Sequence, residues 1–126
     1  MQNTEKRPQI KFYKDAVPDI LSGRKTVEPR PRSHAWIEKI ASTKLVDLTY
    51  GPRIGVPKIF ATAEILKVES RPFSTATKED LKGIALGWQD KTPGEFVAEY
   101  EKWFQKELAK GYPVAWIYFM VVDKHE

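Results

Sequence analysis

A chain of 126 residues, 41% hydrophobic and 30% charged, has the makings of one globular domain with a real core rather than of a disordered tail. It has no cysteine, which excludes disulfides, thiolate metal sites and cysteine nucleophiles, and its two histidines, His34 and His125, are too few for a dedicated zinc site. The net charge of +4 permits an anionic partner such as RNA or a nucleotide without requiring one.

The first eight residues carry no apolar leader core, and no later window approaches the roughly 18 apolar residues of a membrane span. Residues 1–8 are therefore expected to be a flexible lead-in to a single domain, and the protein to be cytoplasmic, with no membrane partner. Ile10-Lys11-Phe12-Tyr13 alternates apolar and polar and predicts a short first strand. Val17 to Ser22 predicts a short helix, with Pro18 in the first turn, where its missing N–H costs nothing, and Gly23 as the stop. Ile20 and Leu21 are its sheet-facing residues.

The densest chemistry follows at once, in Gly23-Arg24-Lys25-Thr26-Val27-Glu28-Pro29-Arg30. If 26–30 is extended, Thr26, Glu28 and Arg30 share one face and Val27 and Pro29 the other. Glu28 and Arg30 are then natural partners, and Lys25 converges on Glu28 only from a turn ahead of the strand, which a glycine of positive φ makes accessible. Pro29 and Pro31 remove ladder donors, so this strand is short or at a sheet edge. Arg30 and Arg32, close to His34 and Trp36, form the densest basic and aromatic cluster of the chain, suited to a phosphate and a base.

Ser33 predicts a helix cap, with Trp36, Ile37 and Ile40 as a buried stripe and Lys39 outside. Lys44 to Tyr50 predicts a strand, and Gly51 to Pro57 a glycine- and proline-punctuated loop that lacks the Gly-Lys-Ser/Thr of a P-loop. Ile59 to Ser70 is the longest strand, with Phe60, Thr62, Glu64 and Leu66 on one side and Ala61, Ala63, Ile65 and Lys67 on the other; such length in a small domain implies strong curvature. Thr77 caps a helix, and Gly87-Trp88-Gln89-Asp90 forms a loop holding an indole and two polar side chains. Thr92, Pro93 and Glu95 supply N-cap, N1 proline and capping-box acid for a last helix running to Gly111, whose stripe Phe96, Val97, Tyr100, Trp103, Phe104 and Leu108 is expected in the core. Val114 to Val122 is nearly all apolar and predicts a central strand.

These elements make an α+β domain of about five or six strands and two or three helices. The pattern Gly23-x-Lys25-Thr26-Val27-Glu28-x-Arg30, after a strand and Ile20-Leu21-Ser22, resembles the G-x-K-x-x-E-x-R signature of ASCH domains. The later elements also fall in that family's order. The resemblance implies a PUA-like small β-barrel with flanking helices. It also implies a cleft, lined by Lys25, Glu28 and Arg30, that meets single-stranded RNA or a modified nucleoside. Arg32, Trp36, Tyr50, Trp88 and Gln89 complete the expected nucleotide-binding set, with no cofactor and no metal, and with the chain a monomer.

One branch of the family hydrolyses N4-acylated cytidines through a lysine, a threonine and an acid. By position the lysine falls on Lys25, the threonine on Glu28, and the acid near Gln89 and Asp90. The threonine nucleophile is therefore replaced. The catalytic alternative is an amidohydrolase in which Glu28 activates water and Lys25 stabilises the oxyanion, with Asp90 as a third candidate; ribonuclease activity is a more distant option.

Overall fold

The computed structural model describes residues 7–51 and 55–125. The expected lead-in lies outside the described residues as far as residue 6; Pro8 accepts a hydrogen bond from the Asp47 N–H at 3.0 Å. The centre of the Gly51 to Pro57 loop, residues 52–54, is also outside them.

In chain order the elements are β1 (Gln9–Lys11), α1 (Val17–Leu21), β2 (Val27–Pro31), α2 (His34–Ala41), β3 (Leu45–Tyr50), β4 (Lys58–Ser70), α3 (Lys78–Ile84), α4 (Pro93–Trp103), α5 (Gln105–Ala109) and β5 (Val114–Lys124). The strands form one sheet in the order β1-β3-β4-β5-β2, with β1 parallel to β3 and the other pairings antiparallel. The sheet curls into a half-barrel. β5 is interior to it, as its unbroken apolar run predicts, and β2 is an edge.

The prolines explain why β2 can be an edge and nothing else. Thr26 accepts from the Phe119 N–H at 3.1 Å and Arg32 donates its N–H to the Pro113 carbonyl at 3.2 Å, so the even-numbered residues face β5. Pro29 and Pro31 then point outward, where no ladder donor is needed and where a further strand is refused.

Two cores lie on the two faces of this sheet. One gathers Ile10, Ile20, Ile40, Val46, Leu48, Ala61, Ala63, Ala115, Ile117 and Phe119, with Trp36, Ile37 and Leu21 of the covering helices against it. The other is aromatic: Phe73, Trp88, Phe96, Tyr100 and Trp116, with Val27, Leu81, Ile84 and Val114. The caps are as the sequence implies. Ser33 accepts from the Trp36 N–H, and Thr77 with Asp80 and Thr92 with Glu95 form complete capping boxes.

Three expectations are corrected. The long strand does not alternate cleanly: its register against β3 shifts between Leu48 and Thr49 and leaves Phe60 as an extra residue, so Phe60 and Ala61 both reach the first core. The last helix is not continuous, for Phe104 leaves helical geometry at φ −109°, ψ 23° and divides α4 from α5. That break turns Phe104 inward onto Phe73, with ring centroids 6.0 Å apart. Trp103, expected in the core, is left 58% exposed.

Candidate functional site

The motif residues converge where α1 hands over to β2. Gly23, at φ +82°, reverses the chain, and the Lys25 N–H bonds back to the Asp19 carbonyl at 2.9 Å. This places Lys25 in the turn ahead of the strand. From there its side chain runs inward until it is 1% exposed. Its ammonium donates to the Val27 carbonyl at 3.1 Å and the Ile84 carbonyl at 3.3 Å, and meets Glu28 Oε1 at 2.9 Å. Three N–H bonds and three acceptors leave it saturated.

Glu28 Oε2 receives Arg30 Nη2 at 2.8 Å and Nε at 3.0 Å. Burial alone would push the Glu28 carboxyl up, but the Lys25 and Arg30 charges and their hydrogen bonds outweigh it and hold the group at about 2. Glu28 is thus a permanent anion with both oxygens engaged. Arg30 also donates through Nη2 to the Lys11 carbonyl at 2.9 Å and lies over the Phe12 ring at 5.3 Å. Since β1 and β2 are the two ends of the sheet, this guanidinium links its edges, and the face it crosses is the inside of the curl. Arg30 Nη1 takes part in none of these bonds.

Arg32 differs in kind. Among the described residues no carboxylate lies within ion-pair distance of it; it donates to the Pro31 carbonyl at 2.7 Å and stacks on Trp36 at 5.6 Å. Its guanidinium is pushed below its ordinary value by partial burial and by the neighbouring Arg30 charge, against the more distant Glu28 and Glu107. Its proton is never in question at neutral pH, so the meaning is an under-compensated cation. Extended alternation from Glu28 through Arg30 to Arg32 places all three on one side of the strand.

The remaining sequence-derived candidates are spread out. Tyr50 is half-buried, with its ring 5.8 Å from Phe60, on the same core as Trp36. Trp88 is buried in the other core, against Phe96 and Tyr100. Gln89 and Asp90 are exposed in the turn after Trp88, and the Gln89 carbonyl accepts from Lys78 Nζ at 2.9 Å. The structure therefore joins Lys25, Glu28 and Arg30 directly, sets Arg32 and Trp36 beside them, and separates Trp88, Gln89 and Asp90. Among the described residues no group of three or more His, Cys, Asp or Glu is arranged to hold a metal ion.

Sequence reasoning missed the partner loop. The Gly83 carbonyl accepts the Thr26 N–H at 2.8 Å, and a Cβ on Gly83 would lie 2.9 Å from Thr26 Oγ1, so only glycine lets α3 approach the motif this closely. Ala85 and Leu86 then take positive φ, 59° and 58°, while the Leu86 N–H is held by Asp19 Oδ2 at 3.1 Å. No local signal marks Ala85 or Leu86 for this conformation; Gly83, a glycine inside a helical pattern, was the one available clue. A groove of about 560 Å³ opens beside this junction, between Leu21, Gly23, Thr26 and the β5 residues Tyr118 and Met120.

No family model matches the chain, and no curated protein matches it. Solved structures do. A DUF984-family protein from Enterococcus faecalis V583 superposes with a TM-score of 0.64 at 17% identity, covering 98% of this chain and 84% of that one. The hypothetical protein PH0355 gives 0.64 at 16%, covering 90% and 97%. An ASCH domain from Lactobacillus crispatus JV V101 gives 0.61 at 14%, covering 92% and 80%. The fold is that of an ASCH domain. The resemblance carried by Gly23 to Arg30 and the structural likeness thus agree on the α+β, half-barrel architecture. Among the described residues no helix of this ASCH-type fold is long and apolar enough to cross a membrane.

Proposed function

We propose that this ASCH-type domain binds a nucleobase or a short single-stranded RNA, one nucleotide seated at the rim formed by Arg30, Arg32 and Trp36. The observation that carries the reading is Arg32. A half-buried guanidinium with no carboxylate within ion-pair distance among the described residues, stacked on an indole and beside a second guanidinium, is incomplete by itself. An anionic group completes it: a phosphate would take Arg32 and the spare Nη1 of Arg30, and a base would lie against Trp36, with Tyr50 on the same core. Lys25 and Glu28 act as the frame that fixes Arg30, each consuming the other's hydrogen-bonding capacity. The modest net charge of +4 favours a small footprint over a long RNA track.

The hydrolase alternative requires Glu28 to accept a proton or Lys25 to release an acceptor. A carboxylate held at about 2 is a weak base at neutral pH, so Lys25 and Glu28 support binding better than turnover.

The test is a titration of cytidine 5′-monophosphate, N4-acetylcytidine and a short single-stranded RNA against wild type and Arg32→Gln. Binding of the two phosphate-bearing ligands should weaken with added salt and by about tenfold in Arg32→Gln, the loss of one charge-assisted contact. N4-acetylcytidine should be returned intact. Salt-insensitive binding, or an unchanged affinity in Arg32→Gln, sinks the proposal; release of cytidine that is lost in Lys25→Ala replaces it with the amidohydrolase.

A further inference from the structure

Arg32 is not the only cation that lies on an aromatic ring at this end of the sheet. β2 ends beside the turn that leads into β5, where the Arg32 N–H donates to the Pro113 carbonyl at 3.2 Å, one residue beyond Tyr112. Lys110 Nζ lies over the Tyr112 ring, 5.6 Å from its centroid. This repeats, on the neighbouring segment, the arrangement in which Arg32 lies over Trp36 at 5.6 Å. Gly111, at φ +81°, turns the chain between Lys110 and Tyr112. A hydrogen-bonded pair across two strands keeps its Cα atoms about 5.5 Å apart and one further residue adds about 3.8 Å, so the Arg32 and Tyr112 backbones lie within roughly 9 Å of one another.

Glu107 draws the two stacks together. Its carbonyl accepts the Tyr112 N–H at 3.3 Å, and its carboxylate is the α5 acid whose charge Arg32 feels. That carboxylate forms no ion pair with any described residue. The charged residues of the elements that meet here are Arg32, Lys39, Lys106 and Lys110 against Glu38 and Glu107, four cations to two acids, so the stretch keeps a positive surplus. Trp36 and Tyr112 are both half-buried, and neither pairs with another described ring, unlike the interlocked aromatics of the second core. A phosphate on Arg32 with a base on Trp36 leaves the Tyr112 and Lys110 stack unused. A second base and a second phosphate match it in kind, since any base offers a π face to an aromatic side chain and any phosphate an anion to an ammonium.

We infer that the rim takes two successive nucleotides of a single strand: one base on Trp36, the joining phosphodiester on Arg32, and the other base on Tyr112 with its outer phosphate at Lys110. This rests on the nucleotide reading and narrows it to an oligonucleotide whose bases are unstacked from one another. The whole chain is titrated calorimetrically with cytidine 5′-monophosphate and with the 5′-phosphorylated dinucleotide pCpC. The dinucleotide should bind about tenfold more tightly, the contribution of one more stacked base. Tyr112→Leu should bring that ratio close to one, whereas Arg32→Gln should weaken both ligands. Lys110→Gln, a change at an exposed position, should weaken the dinucleotide by about threefold and lower its salt dependence by one phosphate contact. Equal affinities in a wild type whose binding is weakened by Arg32→Gln overturn the second position and leave the first. A ratio that Lys110→Gln leaves unchanged, or that Tyr112→Leu leaves unchanged with the circular dichroism of wild type, overturns it too. Absence of binding by either ligand, or indifference of both to Arg32→Gln, overturns the nucleotide reading itself.

Discussion

On the inner face of the sheet Lys25, Glu28 and Arg30 lie within ion-pair distance in series, while at the rim Arg32 has an indole and a carbonyl but no described acid. The two sets lie within eight residues of one another and are built from the same residue types. Buried charges must be compensated internally, because no water is there to do it; a charge at the rim can wait for a ligand. The triad is therefore chiefly architectural, tying the turn, the α3 loop and both sheet edges together. On the proposed reading it is the rim, where Arg32 lies beside the spare Nη1 of Arg30, that gains energy from a ligand.

That contrast can be broken most forcibly at Lys25. Lys25→Ala strips Glu28 of one partner and leaves the Ile84 and Val27 carbonyls without their donor. Urea unfolding should show a loss of about 3–5 kcal/mol, the usual result of removing one member of a buried pair. Arg32→Gln should stay within about 0.5 kcal/mol of wild type in the same assay. Similar losses for both would abolish the distinction between frame and rim.

Acid sharpens it next. The folded Glu28 carboxyl is held at about 2 against an ordinary 4.5, so the unfolded chain takes up the proton first as pH falls. The stabilisation is fully present above about pH 4.5 and is lost progressively between there and pH 2, by up to roughly 3 kcal/mol. A Glu28→Gln variant, unfolded across that range, should show a flatter pH dependence than wild type; an identical slope would mean that Glu28 is not held by its neighbours.

A smaller gain is expected in the loop that the triad grips. Ala85 adopts φ 59° and ψ −145°, a region that only glycine enters cheaply. Ala85→Gly should raise stability by about 1 kcal/mol, the relief of strain exceeding the added freedom of the unfolded chain. Calorimetry showing a lower melting temperature would mean that the packing of the buried methyl group outweighs the strain.

Much of this was legible beforehand because its causes are local. The Ser33, Thr77 and Thr92 caps, the turn at Gly23, the apolar β5 run and the proline-marked edge all depend on residues within a few positions of one another. The Glu28–Arg30 pair followed from strand alternation, and its link to Lys25 from a glycine turn. Trp103 was misplaced for the complementary reason: its spacing is that of a core residue and its ring does touch Trp88 and Tyr100, but nothing in the spacing tells whether another element covers its other side, and it stays 58% exposed. The bulges in β4 likewise come from pairing, at Phe60 with β3 and at Leu66 with β5, which periodicity along one strand does not contain.

Backbone geometry and nearest neighbours suffice for the strands, for most helix starts with their caps, and for the face shared by Glu28, Arg30 and Arg32. Tertiary structure alone decided which charges are spent. Lys25 finds an acceptor in Ile84, 59 residues away, and Arg30 finds one in Lys11 on the opposite sheet edge. Whether a cation is satisfied depends on every acceptor that folding brings within about 3 Å of it, and that set is assembled only when the chain closes on itself.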